Sequence, residues 1–326
     1  MRLIGTAVDR VRRWGRDRHL GEEGSLREAI QWVKNHRVPG GGILPHHKHH
    51  IATQEVTGYL IPTLHEVGER ELAKDLATWE ASVQRADGGF AAIDQVPYTF
   101  DTAQVIRGFL VVVDEMPELE NNLRRACDFV EGHIAADGAV RTPSYDMWKV
   151  SAEDTFSEYA HLYVLPPLLQ AGQKLSEPRY VAAARRGLQY YKQQADLVQF
   201  KPELGTLSHI FGYMMEALVD LGEVELAKKG LQQVAGVQKE SGAIPAYPGV
   251  EWVCSTGMAQ LALAWYKLGE REPADRAVAY LERIQNPSGG FYGSYGAGAR
   301  YFPTEEISWA VKFFLDALLL RNTDPR

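Results

Sequence analysis

Hydrophobic and polar positions follow two helical registers that alternate along the chain. From Cys254 to Gly269, the segment CSTGMAQLALAWYKLG is apolar almost all round, and its polar residues Ser255, Thr256 and Gln260 sit near its start. The next segment, EREPADRAVAYLERIQ, is charged on one face and carries Ala277, Val278, Leu281 and Ile284 on the other. A helix that is apolar on every face is buried, whereas one with a single apolar stripe lies outside with that stripe turned inward. The pair therefore predicts an inner helix, a tight turn at Gly269 and an outer amphipathic helix. The glycine-aromatic loop NPSGGFYGSYG follows.

The rest of the chain repeats this pair. Inner helices are predicted over Gln54–Gly68, from Asp101 (DTAQVIRGFLVVVDE), from Ser157 (SEYAHLYVLPPLLQAG), over LSHIFGYMMEALVDLG, and over Ser308–Leu320. Outer partners are ERELAKDLATWEASVQ, ELENNLRRACDFVEGHI, PRYVAAARRGLQYYKQQA and EVELAKKGLQQVAGVQKE. The segment Ser25–His36 adds a helix, with Ser25 as N-cap and Glu28 three residues on, a capping-box pattern. Pro62 and the Pro166–Pro167 pair should kink or shorten their helices. The punctuation recurs as well. Inner-to-outer turns read VGERELA, LGEVELA and LGEREPA, and outer helices run into QRADGGF, QKESGAI and QNPSGGF. Gln238 and Gln285 stand 47 positions apart, a helical-hairpin period.

About twelve alternating helices, with no strand pattern of comparable length, predict an all-α fold: six hairpins closed into an (α/α)6 toroid, or an open solenoid. A solenoid needs polar capping repeats at its ends, and the last helix here is among the most apolar, which favours a closed ring. No Pro-, Ser- or Gly-rich linker divides the chain. The expected organisation is an N-terminal amphipathic segment over 1–24 and one toroid domain over 25–326.

Composition narrows the class. The 326 residues are 45% hydrophobic and 24% charged, which suits a globular protein with a large core. A net charge of -7 argues against nucleic acid as a partner. No apolar run reaches membrane-spanning length. The Arg-rich N-terminus lacks the apolar core of a secretory signal; it reads as a solvated helix, with peripheral membrane contact as the alternative. Cys127 and Cys254 both fall on predicted helices and read as core thiols, so a reducing, cytoplasmic location is expected.

The glutamine-glycine punctuation resembles the QW-type repeats of the terpenoid cyclase and protein prenyltransferase toroid superfamily. EVTGYLIPTL, PYTFDTAQVIRGFL and YFPTEEISWAVKFFLDA resemble uncharacterised toroid proteins encoded among cell-surface polysaccharide genes. In architecture the chain is similar to the helical domain of glucuronyl C5-epimerases. The resemblance implies a toroid fold and a role in polysaccharide metabolism. It carries over no catalytic residue. A D-x-D-D cyclase motif is absent, and Cys254 has no nearby D-x-C to complete a prenyltransferase zinc set, so terpenoid chemistry is disfavoured.

In a closed ring all the long loops lie on one face, at the N-terminal ends of the inner helices, where functional residues collect and helix dipoles favour anions. The inner helices carry their polar residues near those ends. Asp101, Glu158, His161, His209, Tyr213 and Glu305 are the candidates for acid/base or nucleophilic roles. Glu55, Tyr59, Gln104, Arg107, Trp252, Gln260, Trp309 and Lys312 are the candidates for substrate binding. Plainer readings accompany them: Asp101 and Ser157 as N-caps, His161 as a core histidine, Gln260 and Thr256 as partners for buried backbone, and Glu305 or Glu306 as a first-turn dipole partner. Aromatic platforms with carboxylates suit sugars, and Arg107 and Lys312 would suit a uronate. The expected ligand is therefore a glycan or another sugar-containing molecule. Two chemistries are open. Two carboxylates could flank a glycosidic bond; or a Tyr or His could remove the proton beside a uronate carboxylate, with a cation stabilising the enolate, as in a lyase or C5-epimerase. A non-catalytic glycan- or partner-binding toroid is the alternative of a different class. No cofactor is expected. The His46, His47, His49 and His50 cluster lacks the spacing of known zinc patterns and reads as a pocket-rim loop rather than a metal site.

Overall fold

The computed structural model describes residues 21–146, 149 and 156–323. The expected N-terminal amphipathic segment lies almost wholly outside these residues, as does its membrane contact. Twelve α-helices are present among the described residues. Six are inner: α2 (Gln54–Glu66), α4 (Thr99–Val112), α6 (Leu165–Lys174), α8 (Ser208–Asp220), α10 (Ser255–Lys267) and α12 (Ser308–Asn322). Six are outer: α1 (Gly21–Asn35), α3 (Arg70–Val83), α5 (Glu120–Gly132), α7 (Pro178–Lys192), α9 (Val224–Ala235) and α11 (Arg271–Ile284). Each inner helix packs on the next, and α12 packs on α2, so the inner helices close a ring. The fold is the (α/α)6 toroid. The sixth hairpin joins the two ends of the described chain, since α12 takes α1 as its outer partner. The largest cluster of buried side chains fills the space between the two layers and the ring interior. Among the described residues no helix is long and apolar enough to cross a membrane.

The repeated glutamine has a structural cause. Gln84 Nε2 donates to Gly88 O (3.0 Å) and to Asn122 O at the start of the next outer helix (2.9 Å). Gln238 does the same to Gly242 O (3.3 Å) and Pro273 O (3.0 Å). Gln285 reaches Gly289 O (3.0 Å) and Ser25 O (3.1 Å). Each glutamine thus ties its loop to the following hairpin, and the last ties α11 to α1 and so closes the ring. The glycine four residues on lets the loop backbone touch the next outer helix: at Gly289, φ is +90° and a Cβ would lie 2.1 Å from Glu28 O. A second link across the closure runs from Trp32 Nε1 to Glu306 Oε2 (2.8 Å).

Several local expectations are corrected. Ser25 is not an N-cap; α1 begins at Gly21, and the Ser25 carbonyl serves the closure instead. Asp101 is the third residue of α4 rather than its cap. Cys254 lies in a two-residue strand just before α10, paired through Val253–Cys254 with Ser294–Tyr295. Cys127 and Cys254 are both free and buried, as core thiols would be. Helix α2 runs past Pro62 to Glu66. Ser157 does cap its turn, accepting from Tyr159 N (3.2 Å). That turn, Glu158–Val164, is a 3-10 helix, and the α-helix starts only at Leu165. Pro166 and Pro167 fit the first α-turn, where no N–H is needed.

Candidate active site

A cavity of about 350 Å³ opens on the ring face that carries the long loops. Its floor is built by the first turns of α2, α4 and α8, and its walls by the loop that leads into α12. Glu55 and Asp101 both line it. Helices α2 and α4 approach closely because glycine meets backbone: a Cβ at Gly58 would lie 2.7 Å from Val105 Cα, and one at Gly108 would lie 2.7 Å from Gly58 O. This contact sets the two acids next to each other. Each keeps a partly accessible surface toward the cavity and is otherwise enclosed by protein. Burial pushes the Glu55 carboxyl up to about 7. Asp101 is pushed well above the carboxylate range by burial and then by the charges of Glu55 and Asp94. Helix N-termini favour anions, but here the loss of hydration outweighs the dipole. The two acids favour their protonated forms more than free carboxyls do, and the charge of Glu55 opposes ionisation of Asp101.

A third acid lies behind them. Glu80 on α3 is fully buried, and neither of its carboxylate oxygens has a hydrogen-bond partner among the described residues. Burial, then the charge of Asp101, holds it in the protonated form well above its ordinary range. Ala73, Leu76, Ala77 and Glu80 form one inward stripe of α3. An acid at the fourth position of an apolar stripe is a signal that the sequence reading passed over.

His209 enters the cavity from the second position of α8. Its Nδ1 donates to Gln260 Oε1 (2.7 Å), which leaves Nε2 with its lone pair. The pairing requires α8 and α10 to touch, and Gly257 permits it: a Cβ there would lie 2.5 Å from His209 N. Burial lowers the His209 pKa to about 4, against the opposing Gln260 bond, so the ring is neutral at physiological pH. Tyr213 packs against it with ring centroids 4.5 Å apart. Tyr301, Phe302, Phe100, Phe156 and Trp309 complete an aromatic lining, and Trp309 Nε1 donates to Tyr301 Oη (3.0 Å). His46 and His49 line the mouth, 5.2 Å apart between ring centroids. Among the described residues, no three His, Cys, Asp or Glu side chains converge to hold a metal.

The structure divides the sequence candidates. Glu55, Asp101, His209, Tyr213 and Trp309 line the cavity, and Gln260 acts through His209. Tyr59 is fully buried one turn below Glu55, its hydroxyl without a partner among the described residues. The others lie elsewhere. Glu158 is exposed on the 3-10 turn. His161 is fully buried against Tyr145, its Nδ1 3.2 Å from Glu158 O, and burial lowers its pKa to about 4; it is a core histidine. Glu305 is held at the rim by Lys48 (2.7 Å) and Thr304 (2.9 Å), and the Lys48 bond lowers its pKa. Trp252 packs on Tyr247 away from the cavity.

Arg107 and Lys312 are at the opposite end of the ring. They line a separate cavity of about 240 Å³ with Glu66, Glu216, Lys267 and Asp316. Arg107 lies eight residues beyond the start of α4, about 12 Å down its axis. Its guanidinium stacks 3.9 Å from the Tyr163 ring centroid and donates to Tyr163 O (2.9 Å) and, through Nε, to Gln104 Oε1 (3.1 Å). Gln104 therefore supports Arg107 and not a substrate. Lys312 runs toward the C-terminal end of α12 to pair with Asp316 (2.7 Å). Tyr301, Phe302, Phe100, Phe156 and Glu80 are the site residues that sequence reasoning missed. Tyr301 and Phe302 stand in the stretch YFPTEE, whose resemblance was noted without a role for its aromatics.

Neither protein-family models nor curated sequences match the chain. Solved structures do match over nearly its whole length. An α-amylase from Clostridium perfringens superposes with a TM-score of 0.70 at 12% identity, covering 92% of this chain and 98% of that one. An unsaturated glucuronyl hydrolase specific for heparin gives 0.67 at 12% identity, covering 91% and 94%. The unsaturated glucuronyl hydrolase from Bacillus sp. GL1, responsible for glycosaminoglycan degradation, gives 0.64 at 16% identity, covering 91% and 95%. At such identities the likeness shows the shared toroid fold.

Proposed function

We propose that this protein is a carbohydrate-active enzyme that cleaves a glycosidic bond in an acidic glycan, as a glycoside hydrolase working by acid/base chemistry. The observation that carries this reading is the Glu55–Asp101 pair, two acids with raised pKa values that line one aromatic cavity. The aromatic walls stack the apolar face of a sugar ring. The protonated acid gives its proton to the leaving oxygen as the glycosidic C–O bond breaks. The ionised partner stabilises the positive charge that develops at the anomeric carbon and takes a proton from the water that supplies the hydroxyl there. His46 and His49 at the mouth offer ring nitrogens to a sugar. The named activities of two of the superposed proteins, hydrolysis of unsaturated glucuronyl groups, support an acidic substrate.

A second reading rests on His209. Its Nε2 lone pair beside Tyr213 resembles a proton-transfer pair for elimination or epimerisation. Arg107 and Lys312, the expected enolate stabilisers, lie at the other end of the ring, which favours hydrolysis. Acidic oligosaccharides incubated in heavy-oxygen water, with mass spectrometry of the products, separate the readings. Hydrolysis yields shortened products carrying one heavy oxygen, lost in Asp101→Asn. Shortened products with a new double bond and no added water would move the assignment to a lyase. Unchanged sugars bound equally by wild type and Asp101→Asn would indicate a binding protein without catalysis.

A further inference from the structure

The loop 46–50 carries four histidines around Lys48. His46 and His49 line the mouth of the aromatic cavity. His47 instead meets the stretch 301–309, whose Tyr301, Phe302 and Trp309 form the aromatic wall. Two main-chain bonds pair the loop with that wall: His47 N donates to Glu306 O (3.0 Å), and Ser308 N to Pro45 O (3.0 Å). The Glu306 N–H has no main-chain acceptor among the described residues. His47 Nδ1 accepts it, at 2.8 Å. A backbone N–H can only donate, so Nδ1 carries its lone pair here and the proton of the neutral ring is on Nε2. His47 and Glu306 thus clasp each other by one bond in each direction.

Such a clasp needs a neutral ring. Protonation puts a hydrogen on Nδ1, which opposes the Glu306 N–H and leaves that donor, on a residue only 9% exposed, without a partner. The charged neighbours offer no compensation. On the same loop Lys48 is a cation, His49 and His50 become cations when protonated, and burial lowers the pKa of His46. On the wall, Tyr301 stays uncharged, its pKa raised by burial. Glu305 is taken by Lys48 (2.7 Å) and Thr304 (2.9 Å). The Glu306 carboxylate turns away to Trp32 Nε1 (2.8 Å), Asn286 Nδ2 (2.8 Å) and Ser288 Oγ (2.7 Å). Among the described residues, no carboxylate of either segment is left to hold a protonated His47.

We infer that His47 is a positioning residue that acts through Glu306: its neutral ring holds the mouth loop against the aromatic wall, and acid releases it. The cavity is fully assembled at pH 8 and loosened at pH 5, the range over which histidine changes charge. The inference concerns how the cavity is held together and does not depend on the reaction proposed for it.

The experiment uses the full chain without ligand, as wild type, His47→Ala and His47→Asn. Asn places Oδ1 where His places Nδ1 but takes up no proton. His47 is exposed, so both variants should fold, and thermal melts check this. Nitrogen NMR of the histidine rings, with His47 assigned from its absence in the variants, should show Nδ1 unprotonated at the higher pH. Exchange of the Glu306 amide, corrected for the intrinsic effect of pH, should quicken about fivefold on acidification of the wild type, the worth of one hydrogen bond. It should be fast at both pH values in His47→Ala and slow at both in His47→Asn. Fluorotryptophan at Trp309 should report the same pattern inside the cavity: a pH-dependent shift in the wild type that His47→Asn removes. Glu55 and Asp101 titrate in all three proteins, so a pH dependence that His47→Asn retains in full would belong to them and overturn the inference. A His47 ring protonated on Nδ1 at the higher pH, or a Glu306 amide that exchanges alike in all three proteins, would overturn it as well. None of these outcomes touches the cleavage assay, so failure of the clasp and failure of the catalytic reading remain distinguishable.

Discussion

The two ends of the ring use buried acids in opposite ways. At the end that carries the long loops Glu55, Asp101 and Glu80 crowd together, and no Lys or Arg lines the cavity there among the described residues. Burial pushes all three up, and neighbouring carboxylates add to the shift at Asp101 and Glu80. At the opposite end Lys267 bridges Glu216 (3.0 Å) and Asp220 (2.7 Å), and Asp316 takes Lys312 (2.7 Å) and Thr63 Oγ1 (2.6 Å). There burial opposes ionisation of Glu216, but Lys267, Lys312 and Arg107 overcome it and hold its pKa low. Paired charges plug a barrel, while unpaired acids store protons. A carboxyl without a counter-cation is a cost to folding, and such costs concentrate where chemistry is done.

The largest expected effect tests the end that carries the long loops. Asp101→Asn should lower kcat/KM by about 10³-fold, within the range for loss of a general acid or base, without lowering the melting temperature, because it removes an electrostatic penalty. A loss of activity that merely tracked unfolding would erase the contrast. At the opposite end, Lys267→Met removes the cation that bridges Glu216 and Asp220 and should cost on the order of 1–2 kcal/mol of stability, between the values for exposed and buried pairs. Denaturant unfolding measures the loss, and kcat/KM of the folded fraction should be unchanged. An equal loss of activity would mean that the two ends are coupled.

The smallest effect concerns pH. Acids with raised native pKa values stabilise the fold below their unfolded values, and that contribution is lost as pH rises through the native values, here from about 4.5 to beyond 7. Glu216, with a lowered value, contributes stability above its unfolded value that is lost as pH falls below about 4.5. The melting temperature should therefore fall on both sides of an optimum. Glu80→Gln removes a buried titratable group and should raise stability at pH 8 by on the order of 1 kcal/mol, with little change at pH 5. An identical shift at both pH values would show that packing, and not charge, distinguishes Glu80.

Much of this architecture could be read from local pattern. The inner and outer helices follow from their stripes, because a 3.6-residue period is a property of consecutive residues. The glutamine and glycine punctuation was visible as a repeat, although its action, a weld to the next hairpin, depends on Asn122, Pro273 and Ser25, each more than thirty positions from its glutamine. Closure of the ring was inferred from the apolar last helix. The identity of the closing partner, α1, was not, because Ser25–His36 reads the same whether it pairs with α2 or α12.

The site was less legible, for a geometric reason. That the inner helices carry polar groups toward their starts is a statement about sequence, and it brought into consideration Glu55, Asp101, His209, Tyr213 and Trp309, which line one cavity. Which end of the barrel a side chain serves depends on its depth along the axis and on its reach. Arg107 sits too deep. Lys312 bends one turn onward to Asp316, and Glu305 turns outward to Lys48 while its neighbour Glu306 turns inward to Trp32. By itself the sequence determined the helices, their alternation and the placing of acids and aromatics toward the starts of the inner helices, since these rest on period and position. Only the tertiary structure decided which acids meet without a cation and which are neutralised, because a carboxyl's protonation is set by neighbours from other helices and by the water it has lost.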